Sequence, residues 1–287
     1  TASAKGPLSL ARGFLAATGN QSYGYFGGGY PGFVSTVDRV DYSNDTATAA
    51  VKGPLSVGKY ALAATGNASY GYFGGGSTPD TSTVDRIDYS SDTGTAPSKG
   101  PLSAARRYLA ATGNSSYGYF AGGGTGPGNS SVMDRVDYSN DTGTTPTKGP
   151  LSLARRGCGG TGNASYGWFG GGTPGPGTMS TVDRVDYSND TPTAVAKGPL
   201  SAARAYLAAT GNTSYGYFGG DYSPAKSTVD RIDYANDTPT ATAKGPLSLA
   251  RGILAATSPR AYALEPYRFT ISTPFAFGNN PTPDYPY

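Results

Sequence analysis

The feature that most constrains the fold of this chain is an internal repeat of 47 to 49 residues. Each unit carries one KGPLS segment, and the lysines that open these segments are Lys5, Lys52, Lys99, Lys148, Lys197 and Lys244. Between successive lysines the chain repeats an aromatic stretch such as YGYFGG (70–75) and an acidic stretch, DRVDY or DRIDY. Units of this length with strand patterns are typical of a β-propeller, in which each unit builds one four-stranded blade.

Four strands can be predicted within one unit. The apolar YALAAT (60–65) is the first, and a GN turn leads into the aromatic YGYFGG (70–75) as the second. The alternating, β-branched TVDRIDY (83–89) is the third, and the proline-interrupted APSKGPL (96–102) fits an outer edge. No apolar stripe at helical spacing persists beyond one turn, so we predict an all-β fold.

The two ends of the chain decide the number of blades. We favour six blades, with five to seven open, closed by strands from the N- and C-terminal parts of the chain, because closure removes free sheet edges. The predicted propeller spans residues 1–274, and residues 275–287 form a Pro-rich tail. The predicted units are about 13–59, 60–106, 107–155, 156–204 and 205–251, with a mixed closing blade of 252–274 plus 1–9.

Two segments resemble known propeller families. A glycine doublet ends the second strand in YFGGG, and STVDRIDYSSDT (82–93) resembles the kelch repeat. Kelch blades usually carry a tryptophan after that turn, which this chain lacks, and its only tryptophan, Trp168, takes a tyrosine position in the second strand. SNDTGTT (139–145) is also similar to the Asp-box turn of sialidase-type propellers. Both resemblances imply a propeller.

The DYSNDT…KGPLS style of repeat is similar to kelch-type proteins of marine bacteriophages and other environmental viruses. That resemblance implies a virion or tail-fibre component, and hence an extracellular or virion location. It also implies partners of two kinds, other subunits of the assembly or a cell-surface glycan.

The composition argues against catalysis. The chain has no histidine, one glutamate (Glu265) and one cysteine (Cys158), which excludes Ser-His-Asp and Cys-His nucleophiles and imidazole metal sites. Cys158 stands where other units have leucine, such as Leu62, so we predict a buried hydrophobe. We expect no enzyme, no cofactor and no metal, with calcium held by SNDT carboxylates left as the alternative.

Charge and hydropathy exclude two classes of partner. The formal net charge is only +3 and no Lys/Arg block is present, so we expect no nucleic-acid binding. No apolar run reaches the length of a membrane span, and we expect no membrane insertion. The chain has no signal peptide, lacks an initiator Met and begins inside a repeat, so we expect a processed or partial product.

The variable loops are the segments that join the second strand to the third, at 30–35, 77–82, 125–131, 173–180 and 221–227. The first Asp of each DRVDY or DRIDY segment lies 14 residues before the next Lys in all five units. The length differences between units therefore lie in these loops. Loops that differ on a constant scaffold are where recognition is placed. The candidate binding residues on this face are Tyr30, Phe33, Asp80, Asn129, Asp221, Tyr222 and Lys226.

Up-and-down strands place the variable loops on one face together with KGPLSLAR, and the GN and YSNDT turns on the other. Lys5, Arg12 and their equivalents should make the first face basic, and the turns should make the second acidic. The plainer interpretation is solubility, with ion pairs between blades and local pairing of Asp38 with Arg39. For the glycine-tyrosine stretch, we expect Tyr70 and Tyr72 to fill the layer between blades while Gly71 lets backbones approach. Exposed aromatic rings that stack on sugars are the alternative.

Ten N-x-[ST] sequons are candidate glycosylation sites, nine of them on the turn face. Asn, Ser, Asp and Thr are also the residues that tight turns prefer, so both interpretations stay open. The asparagines are Asn20, Asn44, Asn67, Asn114, Asn129, Asn140, Asn163, Asn189, Asn212 and Asn236.

Our leading functional hypothesis is a non-catalytic propeller in a virion or other extracellular assembly, which binds a surface glycan or a neighbouring protein through the variable loops. The alternative is a subunit that stacks on itself in an extracellular filament, with the C-terminal tail reaching the next copy. A soluble lectin-like module and a glycan-active enzyme are the remaining alternatives.

Overall fold

The computed structural model describes residues 2–126 and 128–257. In that part the chain is all-β and forms five four-stranded antiparallel sheets arranged as the blades of a propeller. The predicted fold class is therefore confirmed. The described residues contain five blades rather than the predicted six.

Each blade takes its four strands in chain order from the centre of the ring outwards, and the first strands of neighbouring blades contact each other. A small hairpin, β11 (Gly124–Thr125) and β12 (Gly128–Asn129), lies in the third variable loop. The blade strands are β1 (Ala16–Gly19), β2 (Tyr23–Gly27), β3 (Val37–Asp41) and β4 (Ala50–Lys52); β5 (Ala63–Gly66), β6 (Tyr70–Gly74), β7 (Val84–Asp88) and β8 (Ser98–Lys99); β9 (Ala110–Gly113), β10 (Tyr117–Ala121), β13 (Met133–Asp137) and β14 (Thr147–Lys148); β15 (Gly159–Gly162), β16 (Tyr166–Gly170), β17 (Val182–Asp186) and β18 (Val195–Lys197); β19 (Ala208–Gly211), β20 (Tyr215–Gly219), β21 (Val229–Asp233) and β22 (Thr242–Lys244).

The glycine-tyrosine stretch packs between blades. Tyr72 is fully buried and its ring stacks on Tyr138 of the next blade, with centroids 4.8 Å apart. A Cβ at Gly71 would lie 2.8 Å from the Thr18 side chain and 2.7 Å from the Tyr89 hydroxyl, so only glycine fits there. Tyr70 packs against the edge of the same apolar cluster. The structural interpretation of this stretch is confirmed.

Neighbouring blades are linked by an aspartate of one blade, which forms hydrogen bonds and ion pairs with side chains of the preceding blade. Asp92 accepts hydrogen bonds from the Tyr25 hydroxyl at 2.8 Å and from Arg39 at 2.8 Å, and its second oxygen pairs with Lys52 at 3.1 Å. Asp141, Asp190 and Asp237 repeat this arrangement in the following blades. In the last of these Trp168 replaces the tyrosine and donates its Nε1–H to Asp237 over 2.9 Å.

A second set of ion pairs lies inside each unit. Arg12 pairs with Asp38 at 2.8 Å, and both side chains are fully buried. The remaining buried pairs are Lys59–Asp85, Arg106–Asp134, Arg155–Asp183 and Arg204–Asp230. The prediction that Asp38 pairs locally with Arg39 is wrong, because successive residues of a strand point to opposite faces of the sheet.

Residues 252–257 occupy the inner edge of a further blade position without forming a strand. Tyr42 and Thr257 share a hydrogen bond of 3.4 Å, equivalent to the one between Thr18 and Tyr89. Residues 2–9, predicted as part of the fourth strand of the closing blade, also form no strand. The predicted middle strands within 258–274 and the tail 275–287 lie outside the described residues.

Candidate functional site: the crown of the propeller axis

A collar of backbone hydrogen bonds surrounds the propeller axis. The N–H of Ala61 donates to the Phe14 carbonyl over 2.8 Å, and the N–H of Tyr108 donates to Ala61 over 2.7 Å. The same bond repeats from each unit to the one before it. The six collar residues have φ angles between 55° and 67°, and they are Phe14, Ala61, Tyr108, Gly157, Tyr206 and Ile253. The hydrogen bonds of the collar join backbone atoms, so the side chains of these six residues can differ from unit to unit.

The collar opens into a cavity of about 70 Å³ on the axis. The next residue of each unit lines it, and these are Leu15, Leu62, Leu109, Cys158, Leu207 and Leu254. Cys158 is buried, as predicted, and burial raises the pKa of its thiol. Burial also raises the pKa of Tyr108 to about 12, so the hydroxyl of this collar residue stays neutral at physiological pH.

Next to the collar lies a second set of backbone contacts, one in each unit. Each contact joins the residue that follows the buried Arg or Lys of the unit to a residue at the start of the variable loop of the same unit. Four of these contacts are β-bridges, and in the fifth unit the Tyr222 N–H donates to the Ala205 carbonyl over 3.3 Å. One member of each pair is large and the other small. The pairs are Gly13–Tyr30, Tyr60–Ser77, Arg107–Gly124, Arg156–Thr173 and Ala205–Tyr222.

We call the five large members of these pairs the crown: Tyr30, Tyr60, Arg107, Arg156 and Tyr222. Aromatic contacts run from crown to collar without a gap. Tyr30 and Phe33 both contact Tyr60, with centroids 6.0 and 5.7 Å away. On the other side of the axis Tyr206 contacts Tyr222 at 5.7 Å. Tyr30, Phe33 and Tyr222 are about half exposed, so this aromatic surface faces solvent.

The two crown arginines differ in their charge partners. Arg107 pairs with Asp80 of the preceding variable loop at 2.8 Å. Arg156 donates its Nε–H to the Tyr206 hydroxyl over 3.2 Å, and it has no carboxylate partner among residues 2–126 and 128–257. The variable loop that precedes Arg156, at 125–131, contains no acidic residue, which explains the difference.

The structure distributes the seven predicted binding residues unevenly. Tyr30, Phe33 and Tyr222 lie together in the aromatic surface. Asp221 is buried and pairs with Lys226 at 3.1 Å, which fixes the fifth loop.

The other two predicted residues support the crown from its sides. Asp80 holds Arg107, as described above. Asn129 is half-buried, and its amide N–H donates to the Thr173 carbonyl over 3.1 Å. It therefore braces the third loop against the start of the fourth.

Sequence reasoning missed the crown and collar residues Phe14, Tyr60, Arg107, Tyr108, Arg156 and Tyr206. A signal was present, because the pair of residues between the buried Arg or Lys and the following Leu or Cys differs from unit to unit, while the positions that flank the pair hardly change. The loop residue paired with the first of these positions always lies 17 residues further along the chain.

The predicted division into a basic and an acidic face is wrong for the residues on which it depended. Arg12 and its equivalents up to Arg204 are fully buried against aspartates, so they add no charge to the variable-loop face. On the turns, Asp92 and its equivalents are covered by Lys and Arg side chains. Within the described part of the chain, no group of three His, Cys, Asp or Glu side chains could hold a metal ion.

Nine of the ten sequon asparagines serve as turn residues in the structure, the exception being Asn129 in β12. Asn67 accepts N–H bonds from Ser69 and Tyr70, each over 2.9 Å, and so caps the first turn of its blade. Asn140 lies on the second turn, is exposed, and accepts a hydrogen bond from Thr142 of its own sequon over 3.3 Å. Both roles leave glycosylation as a prediction.

No protein-family model and no curated protein sequence matches this chain. Among solved structures, that of YjhT is similar, with a TM-score of 0.70 and 11% sequence identity over 87% of this chain and 88% of that chain. At this identity the likeness concerns the fold alone. The described part of the chain contains no helical segment that could span a bilayer.

Proposed function

We propose that this chain is a non-catalytic attachment module, a component of a virion or other extracellular assembly, that binds a surface glycan through the crown. The kelch-like style of its repeats, discussed above, supplies the biological context. The crown supplies the binding surface.

The observation that carries this proposal is the continuous aromatic surface around the axis. Three tyrosines of the crown, Tyr30, Tyr60 and Tyr222, surround collar rings such as Tyr108 and Tyr206. Exposed aromatic faces offer flat apolar area with a hydroxyl at the edge, which suits the C–H face and the hydroxyl groups of a pyranose. Rings that already pack against one another, as Tyr60 does against Tyr30 and Tyr222 does against Tyr206, lose little rotamer freedom on binding, so ordering them costs little affinity.

A glycan array probed with the full chain tests the proposal. We expect binding to a defined glycan class, and a loss of at least about tenfold in affinity for Tyr60→Ala and Tyr222→Ala, because each removes an aromatic anchor. Val195→Ala is the control, since Val195 is as exposed as Tyr222 but lies on an outer strand. Full binding by both tyrosine variants, or no glycan bound by the intact chain, would refute the proposal.

A second candidate, self-stacking or binding of a neighbouring protein, rests on a ring of exposed aliphatic side chains. Leu10, Val57, Leu153 and Leu249 occupy the same position in four units and are 44 to 67% exposed. Val57 lies beside the first variable loop, since a Cβ at the next residue, Gly58, would collide with the Phe33 carbonyl and the Lys59 N–H donates to the Val34 carbonyl over 3.3 Å.

Electron microscopy and light scattering of the purified chain separate the two candidates. If stacking is the function, we expect stacks or filaments that Leu153→Ser with Leu249→Ser disperses, while Val195→Ser does not. Deletion of residues 275–287 tests the tail as the link between copies. Single rings at all concentrations would leave the glycan module as the function.

An intact-mass measurement on native material tests the sequons, because glycosylation adds mass in sugar units.

A further inference from the structure

We infer that the crown takes an anionic pyranose, with Arg156 as the residue that binds its carboxylate or sulfate group. This inference rests on the proposed function and names the substrate class of the same site. It depends on the contrast between the two crown arginines.

Arg107 and Arg156 occupy the same position in consecutive units, but among the described residues Arg107 has a carboxylate partner and Arg156 has none. Asp80 pairs with Arg107 at 2.8 Å. The third variable loop, which precedes Arg156, contains no acidic residue that could pair with it in the same way. Within residues 2–126 and 128–257, one guanidinium without a carboxylate partner therefore lies at the rim of the aromatic surface.

The geometry fixes which end of Arg156 is available. Its Nε–H donates to the Tyr206 hydroxyl over 3.2 Å, and this contact orients the guanidinium plane. In the part of the chain that the structure describes, neither Nη group pairs with a carboxylate. These groups can donate to two oxygens of one carboxylate or sulfate, the geometry for which a guanidinium is suited.

The aromatic neighbours of Arg156 identify a sugar rather than a bare anion. Tyr206, which accepts the bond from Arg156, contacts Tyr222 with ring centroids 5.7 Å apart. Tyr222 is 54% exposed, so its ring surface is open to a ligand. A pyranose on Tyr222 with its anionic group directed at Arg156 uses both features, whereas an inorganic anion would use only the arginine.

Affinity measurements on four probes test the inference: oligogalacturonate, neutral galactan of matched length, sulfated galactan, and polyglutamate. We expect the full chain to bind one or both anionic sugars at least about tenfold more tightly than neutral galactan, with a preference that falls as ionic strength rises. The carboxylated and sulfated probes show which anion the site accepts.

Three variants locate the preference. Arg156→Gln should abolish it. Gly124→Asp should abolish it too without removing the arginine, because a Cβ at Gly124 would lie 3.4 Å from Arg156 Cδ and 3.8 Å from Nη1. Asp80→Asn should strengthen anionic binding, because it releases Arg107. Lys244→Gln, which removes one exposed charge on an outer strand, is the control and should change nothing.

The outcomes separate the inference from the function on which it rests. Equal binding of neutral and anionic galactans, unchanged in Arg156→Gln, would overturn the inference and leave glycan binding intact. Binding of polyglutamate as tight as that of oligogalacturonate would also overturn it, because the site would then recognise charge alone. No binding of any sugar would refute the proposed function and the inference together. The gain expected for Asp80→Asn cannot result from misfolding, so it keeps the test decisive.

Discussion

The interfaces between blades and the crown at the axis are built from the same repeat, but side chains recur from unit to unit at the interfaces and differ between units at the crown. At the interfaces one arrangement recurs, an aspartate that accepts from a buried aromatic and an arginine of the preceding blade. At the crown no two adjacent units present the same pair of residues. The comparison shows that buried polar side chains with several partners recur from unit to unit, while crown side chains, whose pairs are joined through the backbone, differ between units.

The largest expected effect concerns the buried ion pairs of the interior. Asp134→Ala leaves Arg106 charged and unpaired in the interior, and we expect a loss of about 3–5 kcal/mol in the free energy of unfolding. The double variant Arg106→Met with Asp134→Leu removes both charges and should lose far less. Urea unfolding followed by circular dichroism measures both, and equal losses would show that packing, rather than charge, holds this position.

A smaller effect is expected from the hydroxyl that crosses between blades. Tyr119→Phe removes a bond to Asp190 and should cost about 1.5–3 kcal/mol of unfolding free energy. Tyr217 is the equivalent residue of the fifth blade and has no carboxylate partner among the described residues, so Tyr217→Phe should cost much less. Equal costs, measured by the same urea titration, would contradict this and would reveal an acceptor supplied from residues 258–287.

Acidification should weaken the interfaces between blades. Burial favours the neutral form of Asp92, but the bonds from Tyr25 and Lys52 and the charge of Arg39 outweigh it and hold the pKa of Asp92 below its usual value of 3.8. A depressed native pKa stabilises the fold above the unfolded pKa, and this contribution is lost as the pH falls through the native value.

The measurement is the midpoint of urea unfolding at pH 7 and at pH 3. We expect a lower midpoint at pH 3, and a smaller pH dependence in Asp92→Asn, which cannot titrate at this position. An Asp92→Asn variant with the full pH dependence of the original chain would show that other carboxylates account for acid unfolding.

The smallest effect on stability is expected at the crown. Tyr30 is half exposed and its bridge to Gly13 is made by the backbone, so Tyr30→Ala should change the unfolding free energy by no more than about 0.5 kcal/mol. A thermal melt checks this. A loss as large as that of Tyr119→Phe would mean that the crown is part of the framework, and the contrast between the two regions would fail.

Much of the fold follows from local sequence patterns. The patterns of YGYFGG and TVDRIDY predicted the second and third strands, which the structure has at Tyr70–Gly74 and Val84–Asp88, and the position of Cys158 among leucines predicted its burial. The closing blade was harder, because residues 2–9 and 252–257 have the repeat pattern but no strand partners within the described residues. Strand patterns specify a face and a direction, whereas a strand exists only when a neighbour completes its hydrogen bonds.

The sequence by itself determined the repeat, the all-β propeller and the face on which variation collects, since these depend on periodicity and turn chemistry along the chain. Only the tertiary structure decided that Asp38 pairs with Arg12, that Arg39 pairs with Asp92, and that Arg156 has no carboxylate partner in the described part of the chain. The physical reason is distance along the chain. The pairs of Asp38 with Arg12 and of Arg39 with Asp92 join residues 26 and 53 positions apart, and the crown forms only when all five units meet around one axis.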